Sequence, residues 1–387
     1  MILRAGILYD GTLDVPRRNV DLVIEGDRVA EIRSAAEGAA PDASAACITP
    51  GMVNAHVHVI GSGEPNTMSA VALMNQNQMM LAAVANAAKS LRAGVTTVRD
   101  LGSPHGIAAA LRDAIDAGSI PGPRMRAAGH ALCMTGGHGW WVGRTVDSPW
   151  DARKAVREEL RDGADCIKVI ATGGVLTKGA VPGNAQLLPD ELESAISEAH
   201  RHGLRVAAHA IGAEGIKNAL RAGVDSIEHG HMLDDETLEL LKTLDVYVVP
   251  TLSAPTCILE HIQDGGQPAF VVEKATSVSE AMLRNIRRAF EAGIKIAGGS
   301  DAGTPFNLHE NYSQEIELMH RLLGMTPQQA LHAATNVASD LIGLHRGMLA
   351  PGEPADLLLL RRDISEYIRS LREPELVVKA GATISRS

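Results

Sequence analysis

Apolar residues along this chain keep returning in one phrase. The segments LRAGVTTVRD ending at Asp100, LRDGADCIKV at Val169, LRAGVDSIEH at His229 and FEAGIKIAGGSD at Asp301 each combine a helix end, a glycine and a short apolar strand closed by a polar residue. Glycine at that point takes the left-handed conformation that ends a helix without a Cβ clash. Regular alternation of helix, glycine and strand predicts βα units and a parallel sheet. The same template adds VNAHVH ending at His58, RMRAAGH at His130, RVAAH at His209 and VYVVPT at Thr251, which makes eight strands. Intervening segments such as WDARKAVREELRDGA and ELESAISEAHRHG open near Asp or Pro and carry apolar residues at helical spacing. Eight units over residues 51–345 predict an α/β fold, a (β/α)8 TIM barrel. An open doubly wound sheet accounts for the alternation too, but not for a polar residue at nearly every strand end.

The flanks follow a different rhythm. Residues 1–50 hold short alternating strands, ILRAGILYDG and NVDLVIEGDRVAEI, broken by the turn signals DG and EGD, and the tail 346–387 is similar. The two ends are expected to pair as one small discontinuous β-sandwich domain beside the barrel. A stretch near 253–276, with Pro, Gly-Gly and no clear period, is expected to be a mobile loop.

Charge narrows the partners. A formal net charge of -10 argues against nucleic acid or an anionic membrane surface and favours a small-molecule substrate. The four cysteines lie far apart in apolar stretches and read as free buried thiols of a reducing compartment. The N-terminus lacks the pattern of a secretory signal, and no apolar run reaches the roughly 18 residues of a membrane helix, so a cytoplasmic, soluble protein is expected.

In a barrel of this kind the C-terminal strand ends and their loops share one site, which pools His56, His58, Lys168, His209, His229 and Asp301. Histidines at i and i+2 on a strand point to one face, so His56 and His58 can grip a single ion. Each of these residues also has an ordinary role open to it. The HVH pair can be two loop histidines, His209 and His229 can be satisfied core histidines, and Asp301 can be a helix N-cap. Lys168 places an ammonium in the apolar strand CIKVI, which asks either for a salt bridge to Asp165 or Asp100 or for a neutral amine that captures carbon dioxide as a carbamate. Taken together, four histidines, a bridging anion and a carboxylate suit two divalent ions sharing a hydroxide.

The run TPGMVNAHVH, the lysine of IKVIATGG, the histidines of AAHA and IEHG, and GGSDAGTP resemble the signature of the metal-dependent amidohydrolase superfamily. TGGHGW at 135–140 and NALRAGVDSIEHG are similar to its imidazolonepropionase-like and Xaa-Pro or Xaa-Arg dipeptidase branch. The resemblance implies that His56 and His58 bind the more buried ion with Asp301, that His209 and His229 bind the other, and that carboxylated Lys168 bridges the two. It further implies that Asp301 carries the proton and that His138 polarises the scissile carbonyl. Zinc is the expected metal, although manganese, iron and cobalt suit the same ligands. The implied reaction is hydrolysis of an amide bond in an N-acyl amino acid or dipeptide-like molecule, and self-association into a homo-oligomer is implied as well.

One position departs from the dipeptidase pattern. Where such enzymes tend to place a tyrosine to help hold the substrate carboxylate, HAIG carries Ile211, which can neither donate a hydrogen bond nor pair with a charge. Trp140 and Trp141 can wall the site or merely pack their loop, and Arg144, His231, Thr172, Thr251 and Asn184 are further candidate substrate contacts. The rivals are a mononuclear deaminase or cyclic amidase, for which Lys168 is unnecessary, and a lactonase or esterase on the same barrel. A catalytically dead scaffold is disfavoured because all six ligand positions are filled.

Overall fold

In the computed structural model of the chain, residues 1–36, 40–344 and 347–385 are described. Strands β1 (Ile2–Leu8), β2 (Arg17–Glu25), β3 (Arg28–Ser34) and β4 (Ala43–Pro50) come first. They are followed by β5 (Met52–Val57), β6 (Val95–Asp100), β7 (Arg124–Ala127), β8 (Ala131–Cys133), β9 (Gly143–Thr145), β10 (Cys166–Ile170), β11 (Arg205–Gly212), β12 (Ser226–Met232) and β13 (Tyr247–Val249). The tail supplies β14 (Leu357–Leu360), β15 (Leu376–Lys379) and β16 (Ala382–Ile384).

The two ends of the chain do pair. β14 lies antiparallel to β4, and the order β16-β15-β14-β4-β1-β2-β3 is one hydrogen-bonded sheet of seven strands, where a sandwich was expected. Leu3, Leu22, Ile48, Leu357 and Val378 form its buried face. The expected boundary at 345/346 lies outside the described residues. Gly51 joins this sheet to β5, and a Cβ there would meet the Thr96 side chain at 2.3 Å, so the chain passes only because that residue has none.

From β5 to β13 the strands pair in parallel, β5-β6-β7 and β9-β8-β10-β11-β12-β13, with helices such as Gln76–Arg92, Pro149–Arg161 and Pro189–Arg201 between them. The expected strand ending at His130 stops at Ala127, and β8 continues beside β10 through the pairs Lys168–Ala131 and Val169–Leu132. The expected last strand is not a regular ladder. Instead, isolated parallel bridges tie Ile296 to Val248 and Ala302 to Val57, and Asp301 N donates to His56 O at 2.8 Å. Residues 253–276 are not an irregular loop. Their apolar positions build a helix, Ser253–Glu260, and the start of a long one, Ala269–Glu291, both packed at the strand ends. All four cysteines are free and buried, and among the described residues no helix is long and apolar enough to cross a membrane.

Candidate active site

The strand ends converge on one cavity. Its floor carries His56, His58, His138, Lys168, His209, His229, His231 and Asp301, drawn from segments up to 245 residues apart in sequence. Among the described residues, His56, His58 and Asp301 form the group whose donor atoms lie within 4.8 Å of one another. His56 Nε2 and His58 Nε2 face Asp301 Oδ1 at 3.3 and 3.2 Å.

Outer partners orient these rings. His56 Nδ1 lies 2.8 Å from Glu228 Oε2 and His58 Nδ1 lies 3.3 Å from Gly102 O, which leaves each Nε2 turned inward. The next tier is formed by His209 and His229, whose ring centres are 4.6 Å apart, with the His229 ring 5.4 Å from that of His56. His229 Nδ1 rests 2.7 Å from Thr251 Oγ1, while His209 Nε2 faces Gly173 O at 3.2 Å.

Two observations separate this cluster from a satisfied core. Lys168 is 2% exposed, and among the described residues its Nζ has no hydrogen-bond partner, while Asp301 Oδ1 meets the two imidazole nitrogens at 3.2 and 3.3 Å. The proposed salt bridge is absent: Asp165 is engaged by Arg112 and Arg126, and Asp100 accepts from Val59 N, Gly102 N and Ser103 Oγ. Burial lowers the Lys168 amine to about 8, against the attraction of Glu228 and Asp301. Nor is Asp301 a helix cap, since its carboxylate faces the histidines and its main-chain oxygen accepts from Thr304. The second observation is strain. His229, Thr251 and Asp301 sit at φ of 74°, 47° and 60°, a region that side-chain-bearing residues seldom occupy and that collects at functional sites.

His138 is pressed against the loop that follows β10. Its Nδ1 lies 2.8 Å from Thr177 Oγ1, its backbone N donates to Gln186 Oε1, and its ring is 4.5 Å from that of His209. A Cβ on Gly174 would lie 2.3 Å from His138 Nε2, so the TGG run is what lets the ring approach. Burial keeps His138 neutral, lowering its pKa to about 3.

The predicted substrate contacts divide. Trp141, Ile211 and His231 line the cavity, and His231 Nδ1 is buried without a partner. Trp140 does not: it is 55% exposed. Arg144 does not line the cavity either, and is ion-paired to Glu158 on the helix Pro149–Arg161. Thr172 holds Ile211 N, and Thr251 holds His229. Sequence reasoning missed the support beneath the floor. Arg99 donates to Ala55 O, Ser226 Oγ and Glu228, which in turn orients His56. A glutamate inside the apolar strand SIEHG is the same kind of anomaly as the lysine in CIKVI, and was the available signal.

Residues 47–384 match the amidohydrolase family. The chain belongs to that family. Ochratoxinase of Aspergillus niger is 30% identical over 97% of this chain and 84% of its own length. A crystal structure of a Xaa-Pro dipeptidase with methionine in its active site superposes with a TM-score of 0.90 at 32% identity, covering 99% of both chains. A prolidase complexed with n-methylphosphonate-L-proline gives 0.91 at 29% identity over 100% of this chain and 99% of its own. These amidohydrolase neighbours imply a TIM barrel with a small domain, and they make the chain a hydrolase of carbon–nitrogen bonds. Amidohydrolases typically hold divalent metals, and the His56, His58 and Asp301 cluster is where this member has the donors for one.

Proposed function

We propose that this amidohydrolase cleaves the amide bond of a small molecule, in the manner of an N-acyl amino acid or a dipeptide, with two divalent ions, zinc by preference, at the floor of the cavity. The single observation that carries the reading is the buried Lys168 Nζ, without a hydrogen-bond partner among the described residues, beside inward-turned histidine nitrogens gathered on Asp301 Oδ1. Such a set is costly to leave empty and suits cations.

His56, His58 and Asp301 would hold the inner ion. His209 and His229 would hold the outer one, with His209 Nε2 exchanging its contact to Gly173 O. Lys168, whose basicity burial depresses, would be the residue to take up carbon dioxide, and as a carbamate it would supply anionic oxygen donors to the metal centre. When bound, such ions lower the pKa of water toward neutrality and draw electron density from a carbonyl. Asp301 takes the proton of the attacking water and returns it to the leaving nitrogen. Neutral His138, its Nδ1 2.8 Å from the Thr177 hydroxyl, would present Nε2–H to the carbonyl oxygen as charge builds there, in the tautomer whose Nδ1 accepts from that hydroxyl. Bulky apolar side chains around the mouth exclude bulk water.

The bridges from residues 294–302 to β13 and β5 support closure of the barrel as eight units. We assign 51–345 to that barrel and 1–50 with 346–387 to the small β domain. We place the protein in the cytoplasm, acting on a small molecule, without nucleic acid or membrane, as a homo-oligomer. Elemental analysis of purified protein tests the centre. About two equivalents of divalent metal per chain are expected. About one moves the reading to a mononuclear deaminase or cyclic amidase, and none after reconstitution with metal and bicarbonate overturns it.

A further inference from the structure

We infer that the molecule cleaved here is uncharged and apolar on both sides of its scissile amide, carrying no free carboxylate. This sets aside the N-acyl amino acid and dipeptide class, whose members carry a free carboxylate, and rests only on the reading of the site as an amide hydrolase. The cavity divides sharply in polarity. All its ionisable side chains, the six imidazoles with Lys168 and Asp301, belong to the floor. Above them the wall is hydrocarbon and indole, with Val71, Leu101, Trp141, Ile170, Ile211 and Ile258 among its members.

Among the described residues, that wall carries no arginine, no tyrosine and no further lysine. Of the cations on the elements around the mouth, Lys178 on the loop after β10 is exposed and lies outside the cavity lining, and two others are committed. Arg144 is ion-paired to Glu158, and Lys274 Nζ donates to Thr177 O at 2.6 Å and to Ala180 O. The hydroxyl of Thr304 is also committed, donating to Asp301 O. A substrate carboxylate against this wall would lose its water and find neither a cation nor a side-chain hydrogen-bond donor in return, which disfavours it. An aryl or branched alkyl group loses nothing by the same transfer and gains the contacts.

The chemistry balances with water as the co-reactant. Water adds its oxygen to the carbonyl carbon, the C–N bond breaks, and the nitrogen leaves with a proton as an amine. A neutral amide thus becomes a carboxylic acid, which ionises, and an amine. The wall that admits the substrate repels the ionised product, which favours its release.

Three matched anilides test the inference on the zinc-loaded protein: benzanilide, 4-benzamidobenzoate with a carboxylate on the amine side, and 4-carboxybenzanilide with one on the acyl side. The expected result is a kcat/KM for benzanilide on the order of a hundredfold above either acid. Equal rates, or preference for an acid, overturn the inference while leaving the hydrolase reading standing. Turnover of none of the three counts against the hydrolase reading, and binding then decides the substrate class separately. Quenching of indole fluorescence, with Trp141→Phe as the control for its source, is expected to report saturable binding of benzanilide and none of the acids. Tight binding of an acid, or no binding of benzanilide, refutes the proposal.

Discussion

Two buried cations stand in neighbouring layers of the parallel strands, and they are treated in opposite ways. Arg99 of β6 donates to Ala55 O at 2.6 Å, Ser226 Oγ at 3.2 Å and Glu228 Oε1 at 2.8 Å. Lys168 of β10 has no hydrogen-bond partner among the described residues. The fully partnered guanidinium belongs to the support under the site, where the cost of burying it is offset within the protein. The unpartnered amine belongs to the floor, where only something added from outside can offset that cost. Two buried glutamates repeat the contrast. Burial pushes both upward, but Arg99 and His56 bring Glu228 down to about 2. Glu315, which accepts only from neutral donors, Leu252 N, Ser253 N and Ser253 Oγ, is left at about 7.

Removing the amine breaks the comparison most severely. Lys168→Ala is expected to lose at least about one metal equivalent, and its turnover should fall on the order of a thousandfold, with partial recovery in small added carboxylates. Compared in metal-free form, its thermal midpoint should match or exceed that of the parent, because an unpaired buried group has gone. Full metal occupancy in this variant sinks the carbamate assignment.

Glu228→Gln attacks the other layer. It leaves Arg99 without its counter-charge, and the expected loss is ~3–5 kcal/mol in denaturant unfolding. A loss under ~1 kcal/mol would mean that Ala55 O and Ser226 Oγ suffice.

Glu315 sharpens the comparison through pH. Its folded pKa of about 7 lies above the ordinary carboxylate value of 4.5, so the folded state keeps the proton longer than the unfolded chain does. The effect is absent below about pH 4.5, where both states are protonated. As pH rises from there to about 7, this group destabilises the fold by up to about 3 kcal/mol. Glu315→Gln should lack that trend, and equal slopes in parallel melts of the two proteins would show that its donors hold the carboxylate ionised.

The smallest change expected is from Thr177→Val. Losing the partner of His138 Nδ1 should lower kcat about tenfold and leave KM within about twofold, because the ring acts on charge that develops only in the transition state. A shift in KM alone would place His138 in substrate binding.

Much of this was legible in advance at particular positions. The strand ending at Asp100 appeared where the periodicity put it, those expected to end at His209 and His229 run on to Gly212 and Met232, and the HVH pair stands at the end of β5. The chain's two ends pair as expected, through β14 against β4. The segment 253–276 was misread because Pro255 and Gly265–Gly266 mask two apolar helices, whose stabilising contacts are tertiary. Arg144 was misread because an arginine near an active site looks available until its partner, Glu158, is seen.

The sequence by itself determined the alternation of helix and strand, the polar strand ends and the types of ligand available, because spacing and glycine placement act over a few residues. Only the tertiary structure decided which buried charges are satisfied. Arg99 and Glu228 are 129 residues apart, and Lys168 differs from Arg99 in its surroundings more than in its local sequence. Whether an ion is structural or reactive depends on what the fold brings within about 3 Å of it, a short-range interaction between residues that no local pattern connects.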